Sequence, residues 1–399
     1  MTTKPPGGPF LGYGRQSIVP EDVEAVTAAL RGDYLTQGPT VERFEAALAD
    51  YVGARYAVAV ANGTAALHLA CLAAGLQSGR RALTQAVTFI ATANAPRYCG
   101  AQVGAVDIDP ISLGMDVAAV RRALAADPDV SAVLPVHIAG YSADPSGIAA
   151  AAGRRLVIED ACHAFGGREP DGAMVGSCRH SAMACFSFHP VKSITTGEGG
   201  AVTTNDAELA RLLRLLRNHG MERDPDRWTE SGQAFDNGEP NPWYYEQQAL
   251  GFNYRMTDLQ AALGLSQLAR VDRLIERRRT LARAYDAALA GLRGLKPLQA
   301  SEDARRRSAH HLYLVDIDFA GLGKSRRGVM SELRQRGIGS QVHYIPLYRQ
   351  PIHRSLGRPE AFPSSERYYA GCLSIPLHPG LTDEDAERVV FALREVVAC

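Results

Sequence analysis

The sequence predicts an α/β protein: a mainly parallel sheet covered by helices on both faces, followed by a smaller C-terminal α+β domain. Three observations carry this. Short apolar runs alternate with segments of helical period through the first two-thirds of the chain, the pattern of strands buried beneath helices. A polar stretch at 218–250, with Gly, Pro and Asp throughout, then loses all periodicity. A long helical pattern follows it and leads into a last third of mixed signals. At 399 residues the chain exceeds one small core, so two or three domains are expected.

In chain order, the expected strands are YAVAV (56–60), VGAVDI (103–108), SAVLPV (131–136), RLVIED (155–160), MACFSF (183–188) and GAVTT (200–204). Between several of them lie AALHLACLAAGL (65–76), VAAVRRALAA (117–126) and ELARLLRLLR (208–217), whose apolar residues recur at helical spacing. A connection as long as 218–250 is more often functional than merely connective. The pattern TDLQAALGLSQLARVDRLIERRRTLARAYDAALAGL is expected to form one long helix linking two domains. HLYLVDIDF, SELRQRGIGSQVHYIP and DEDAERVVFALREVV then build the smaller one. The expected boundaries are 13–265 for the large domain and 266–399 for the small one.

Composition excludes several classes. With 43 basic and 43 acidic residues the formal net charge is zero, and no basic block interleaved with aromatics points to nucleic acid or an acidic membrane. The start, MTTKPPGGPF, lacks the apolar region of a signal peptide. Apolar runs stay short of the roughly 18 residues a spanning helix needs. The cysteines at 71, 99, 162, 178, 185, 372 and 399 are odd in number and form no CxxC pair, as expected of reduced thiols in a cytoplasmic protein. No Cys or His spacing forms a zinc ligand pair, so no metal is expected.

In sheets of this kind ligands bind beyond the carboxyl ends of the strands, and four such ends carry suggestive groups. After YAVAV, Gly63 and Thr64 lead straight into a helix whose free N–H groups make either an anion site or an ordinary cap. After a further strand, Phe89 in AVTFIATANA offers a flat face to a ring, or is simply core. After RLVI, the carboxylate of Asp160 either caps a helix or holds a proton on a heterocycle's nitrogen. After MACF come Ser187, His189 and Lys192. Only Lys4, Lys192, Lys296 and Lys324 are lysines; every other basic residue is arginine, which cannot act as an amine near neutral pH. A lysine among SFHP, aliphatics and glycines is either a surface residue on a turn or an amine stripped of water, and desolvation lowers its pKa. Together, anion cradle, ring carboxylate, aromatic lid and unprotonated lysine are what pyridoxal phosphate requires. Competing motifs fail: GLGKS at 321–325 has Asp318 where a P-loop needs glycine, and GEGG lacks the dinucleotide fingerprint.

The blocks LTQGPTVERFEAALADYVG, NGTAALHLA, VTFIATANA, VIEDACHAFGG, FSFHPVKSITTGEGGAV and GFNYRMTDLQAALGLSQL resemble, in this order and from about Tyr13 to the C-terminus, the DegT/DnrJ/EryC1/StrS sugar aminotransferases. The resemblance implies the type I pyridoxal-phosphate aminotransferase fold, whose large domain holds a mainly parallel seven-stranded sheet. It implies Lys192 as the Schiff-base lysine and Asp160 as partner of the pyridine nitrogen. It places Phe89 over the ring, His163 close to it, and Thr64, Ala65 and Ser187 around the phosphate. Asn253 would reach the cofactor phosphate of a neighbouring subunit, making a homodimer with shared active sites. The nucleotide sugar would contact Tyr13, Asp33, Tyr34, Leu35, Thr36, Asn62, Ser187, Asn253, Gln341, Val342, His343 and Tyr344, with Asn62 standing where relatives carry serine.

Within the group, LTQG, FSFHPVK-ITT-EGGAV, HLYLV and QVHYIPLY are most similar to the 4-aminotransferases of pseudaminic acid synthesis. The implied reaction moves the amino group of L-glutamate to carbon 4 of a UDP-linked 4-keto-6-deoxy sugar. Other 3-keto or 4-keto sugar nucleotides, dTDP- or GDP-linked, stay open as acceptors. So does a binding-only regulator that has lost catalysis.

Overall fold

The computed structural model describes residues 8–142, 144–298 and 301–398; Lys4 and Cys399 lie outside them. The first part contains α1 (Pro20–Arg31), α2 (Pro39–Val52), β1 (Tyr56–Val60), α3 (Gly63–Ala73), β2 (Arg81–Gln85), α4 (Ile90–Tyr98), β3 (Gln102–Val106), α5 (Val117–Ala126), β4 (Val130–Leu134), α6 (Pro145–Ala152), β5 (Leu156–Asp160), β6 (Met183–Ser187), β7 (Gly200–Thr204) and α7 (Ala207–Arg217). The seven strands form one sheet in the order β1-β7-β6-β5-β4-β2-β3. β7 runs antiparallel to both neighbours and the other pairings are parallel. This is the expected mainly parallel sheet of the type I fold. Helix starts are set by side chains: Asp116 accepts from the Ala119 amide at 2.6 Å, and Asp206 accepts from the Glu208 and Leu209 amides at 2.8 and 3.1 Å.

β2, RALTQ, supplies the further strand expected before Phe89, ending at Gln85. Several details differ from the sequence expectation. Two runs end early: Ile108 and Val136 take part only in isolated bridges beyond β3 and β4. The connection 218–250 is not featureless. It contains β8 (Met221–Glu222), α8 (Ser231–Ala234), β9 (Phe235–Asp236), β10 (Glu239–Pro240) and β11 (Glu246–Gln247), paired as two short antiparallel ribbons. Glu246 holds it, accepting from the Thr229 and Glu230 amides at 2.8 and 2.7 Å. Side chain–backbone bonds of this sort leave no periodic trace in a sequence.

The single linking helix is in fact two, α9 (Asp258–Leu268) and α10 (Val271–Leu289). Arg270, between them, leaves helical geometry at φ −123°, and its guanidinium reaches back to the buried Asp22 carboxylate at 2.6 Å. Gln267 meets the same carboxylate at 2.7 Å. Arginine and glutamine are good helix formers, so the break is tertiary in origin and invisible to periodicity. After α10 come β12 (Leu295–Pro297), α11 (Glu302–Arg307), β13 (Tyr313–Ile317), α12 (Arg326–Gln335), α13 (Pro363–Gly371), β14 (Cys372–Ile375) and α14 (Asp383–Ala398). Their three strands form an antiparallel sheet in the order β12-β13-β14. A continuous core from Leu281 to Val397 lies beneath it and takes in Leu11, which bridges to Ile338. Among the described residues no helix is long and apolar enough to cross a membrane.

Candidate active site

The sheet brings the ends of β5 and β6 side by side, with Asp160 registered against Cys185. Asp160 is 5% exposed. Its Oδ2 accepts from the Thr92 hydroxyl at 2.6 Å, and its Oδ1 accepts from the Cys162 amide at 3.2 Å. No helix follows it, so the helix-cap alternative falls away. Thr92, one turn into α4, is a residue the sequence reading missed, although it lies in the same VTFIATANA block as Phe89.

Lys192 lies on the loop that leaves β6. The loop closes on itself: Phe188 donates to Gly199 O at 2.8 Å and Thr196 donates to Phe188 O at 3.0 Å. The lysine keeps a partly open surface on a loop whose next four residues, Ser193 through Thr196, are buried. Burial pushes its pKa down, opposed by the Asp160 carboxylate and reinforced by Arg278. Lys296 and Lys324 sit 3.5 Å from Asp316 and Glu332, whereas Lys192 has no carboxylate within 4.0 Å among the described residues. The amine is thus set apart electrostatically as well as in sequence.

Three histidines and a tyrosine crowd the same space. The His163 and His311 rings lie 4.3 Å apart. Burial pushes both well below the ordinary imidazole range and brings His343 down to about 3. His163 Nδ1 accepts from the Ala139 amide at 3.3 Å, so in the neutral ring Nε2 carries the hydrogen and donates to Tyr344 Oη at 3.0 Å. Tyr344 is therefore free to donate its own hydrogen. Phe89, 51% exposed, faces Tyr344 at 5.7 Å between ring centroids. Tyr13 packs against His343 at 5.1 Å, and His343 meets the Ser374 hydroxyl at 2.7 Å. Gln341 and Val342 lead into this group, with Gln341 bridged to β14.

At the start of α3, Asn62 accepts from the Ala65 amide at 2.8 Å, a cap that leaves the Gly63 and Thr64 amides without partners among the described residues. A Cβ built on Gly63 would lie 2.8 Å from Ser187 Cβ and 3.2 Å from its hydroxyl. The helix end therefore sits directly on the end of β6, with two free amides and a hydroxyl in one place. Asp33, Tyr34, Leu35 and Thr36 are all exposed and are tied instead to the start of α9, where Asp258 donates to Leu35 O at 3.0 Å. Asn253 is exposed too, on a strip whose Arg255 bridges to Val60. Among the described residues no hydrogen bond, ion pair or ring contact joins either group to the Lys192 cluster. His311 and Arg278 were also missed; HHLYLV held the only sequence signal for the first.

These residues fit pyridoxal phosphate on their own chemistry. They supply an amine stripped of water, a braced carboxylate at a neighbouring strand end, free N–H groups at a helix start, and an open aromatic face. The comparisons agree. The DegT/DnrJ/EryC1/StrS aminotransferase family model matches residues 16–394. The chain is 38% identical over 394 residues to the spore coat polysaccharide biosynthesis protein SpsC of Bacillus subtilis (strain 168), covering 97% of each. It superposes on Helicobacter pylori PseC, an aminotransferase involved in the biosynthesis of pseudoaminic acid, with a TM-score of 0.86 and 27% identity over 98% of this chain and 99% of that one. The PLP-form of Spr1654 from Streptococcus pneumoniae gives a TM-score of 0.85 and 25% identity over 98% and 99%. A match of this extent shows membership: the chain belongs to the DegT/DnrJ/EryC1/StrS aminotransferase family and is a pyridoxal-phosphate-dependent sugar aminotransferase.

Proposed function

We propose that the protein transfers the amino group of L-glutamate to carbon 4 of UDP-2-acetamido-2,6-dideoxy-β-L-arabino-hex-4-ulose, giving UDP-4-amino-4,6-dideoxy-N-acetyl-β-L-altrosamine. It works in the cytoplasm as a homodimer, with domains at 13–265 and 266–399. The observation that carries the catalytic part is Lys192, an amine on the loop after β6 whose pKa is lowered by burial, while Asp160 ends the neighbouring β5. The likeness to PseC supports the acceptor. The greater identity to SpsC favours a second reading, another keto sugar nucleotide used in a surface polysaccharide.

Pyridoxal phosphate, when bound, supplies the electron sink that makes the α-carbon of an amino acid acidic. The chain does the rest. Lys192 Nζ takes the proton from the α-carbon of glutamate and, in the amination half, delivers one to sugar carbon 4. Asp160, braced by Thr92, keeps negative charge where the ring nitrogen would be held. The Gly63 and Thr64 amides and the Ser187 hydroxyl would hold the phosphate, and Phe89 and His163 would bound the ring. Tyr344, with its hydrogen free, joins Tyr13, Asn62, Gln341, Val342 and His343 in orienting the sugar. The exposure of Asn253 and Asp33–Thr36 supports their serving a partner's site.

Lys192→Arg should abolish the visible absorbance of the cofactor-loaded protein and all transamination, while circular dichroism stays that of the wild type. Turnover of glutamate at the wild-type rate would remove the assignment of the amine. The acceptor is tested with a panel of 4-keto sugar nucleotides and glutamate, followed by configuration assignment at carbon 4. Failure with every UDP-linked hexosulose sinks the acceptor and leaves the cofactor chemistry standing.

A further inference from the structure

A second cluster lies in the connection between β5 and β6, away from Lys192. Glu169, Asp171 and His180 each present one ligand atom, all within 4.8 Å of one another. His180 Nε2 lies 3.0 Å from Asp171 Oδ2 and 3.8 Å from Glu169 Oε2. Glu169 is fully buried, at 0% exposure, and neither of its carboxylate oxygens has a hydrogen-bond partner among the described residues. Taking a carboxylate out of water with no donor to replace the lost bonds is costly, and buried carboxylates are paired or bound to metal. A proton would cap one oxygen; a metal ion would satisfy the group and explain why His180 and Asp171 converge on it.

The frame around the cluster is built by the chain itself. Arg168 bridges to Met174, Glu169 N–H donates to Ala173 O at 2.8 Å, and Asp171 Oδ1 accepts from the Ala173 amide at 3.0 Å. That turn holds Glu169 and Asp171 in place and leaves Asp171 Oδ2 facing His180. Arg179 reaches Asp171 Oδ2 at 3.4 Å but is 61% exposed and can swing away. His180 and Asp171 are 24% and 34% exposed, so the cluster opens to solvent on one side. Ligand atoms around an ion with bonds of about 2.0–2.2 Å lie roughly 3–3.5 Å apart; the His180–Asp171 separation of 3.0 Å falls in that range, and small side-chain rotations would bring Glu169, 3.8 Å from His180, into it.

We propose that Glu169, Asp171 and His180 bind one divalent transition-metal ion of the zinc or manganese kind. One imidazole and two carboxylates suit that class, with water completing the shell on the open side. The ion clamps the turn carrying Glu169 and Asp171 to the segment that enters β6. No ligand motif announces it in the sequence, because the fold and not the spacing brings the three together.

The test uses the cofactor-loaded protein after dialysis against chelator. MnCl2 is titrated in by following the free-ion paramagnetic resonance signal, and ZnCl2 by calorimetry. One equivalent of either ion per chain is expected, with a higher Tm. Glu169→Gln and His180→Ala are each expected to weaken binding roughly 100-fold or more, since even losing an outer partner of a ligand costs 10–100-fold. His180→Ala lies at the open side and tests the site even if Glu169→Gln folds poorly. The proposal is overturned if neither ion binds at one per chain, or if binding survives either substitution. Neither residue belongs to the Lys192 cleft, so this result stands apart from the proposed transamination.

Discussion

Thr92 shows how much a single hydroxyl matters at the end of a buried strand. A carboxylate there is costly to leave unpaired, and among the described residues Asp160 has one side-chain donor, Thr92 at 2.6 Å. Because Thr92 gives its hydrogen to Asp160, its own oxygen takes the hydrogen of Thr88 at 2.8 Å. A hydrogen bond to a charged group contributes about 1.5–3 kcal/mol, so Thr92→Val should lower kcat roughly 10- to 100-fold with little change in KM for the acceptor. Thr92→Ser, which keeps the hydroxyl, should restore most of it. A Thr92→Val enzyme with wild-type kcat would mean that Asp160 needs no brace.

At the scale of elements, α10 reaches the cofactor loop through one side chain. Arg278 is fully buried and 0% exposed. Its Nη1 donates to Leu377 O at 2.9 Å and to His311 O at 3.3 Å, and its Nη2 donates to Lys192 O at 3.2 Å. It thereby ties the helix, the strand after α11 and the lysine loop together. Its charge also lowers the Lys192 pKa, while its own is brought to about 10 by burial. Arg278→Met should destabilise the fold by about 1–3 kcal/mol, because carbonyls are left unpaired. It should also move the pH dependence of cofactor capture by the apoenzyme to higher pH, since less neutral amine is then present at a given pH. Capture with an unchanged pH profile would show that the guanidinium serves architecture alone. Gly200 shows the same tightness between strands: a Cβ there would meet Asn62 O at 2.5 Å and Phe186 O at 2.8 Å, both rigid backbone, so β7 can pass between β1 and β6 only with glycine.

Over the whole molecule, the buried histidines set how stability depends on pH. Burial lowers His310 and His378 to about 4 and His343 to about 3. The folded state then binds fewer protons than the unfolded chain below about pH 6.5, so their contribution is present above that pH and is lost as pH falls towards 4. In the metal-free protein Glu169 works the other way: raised to about 8 by burial, it favours folding below its ordinary range and loses that contribution as pH rises towards 8. With His163, His310, His311, His343, His353 and His378 lowered, against the raised Glu169, Asp286 and His137, Tm should fall by about 5 °C or more between pH 7 and pH 5. Thermal unfolding across that range checks it; a flat profile would mean that the imidazoles stay hydrated. The cleft itself needs both parts of the chain, because Asp160 and Lys192 come from the large sheet while His311, His343 and Tyr344 come from beyond α10.

Much of this was legible beforehand. YAVAV, GAVTT and VAAVRRALAA coincide with β1, β7 and α5, because burial beneath helices and one-sided packing write a period into the residues themselves. Lys192 stood out because a chain that prefers arginine kept an amine there, and the ordered blocks around it pointed to the family. The break at Arg270, the brace from Thr92 and the meeting of Glu169 with His180 left no such trace. Each depends on polar side chains finding partners far along the chain, where distance and direction decide and no local periodicity records the outcome.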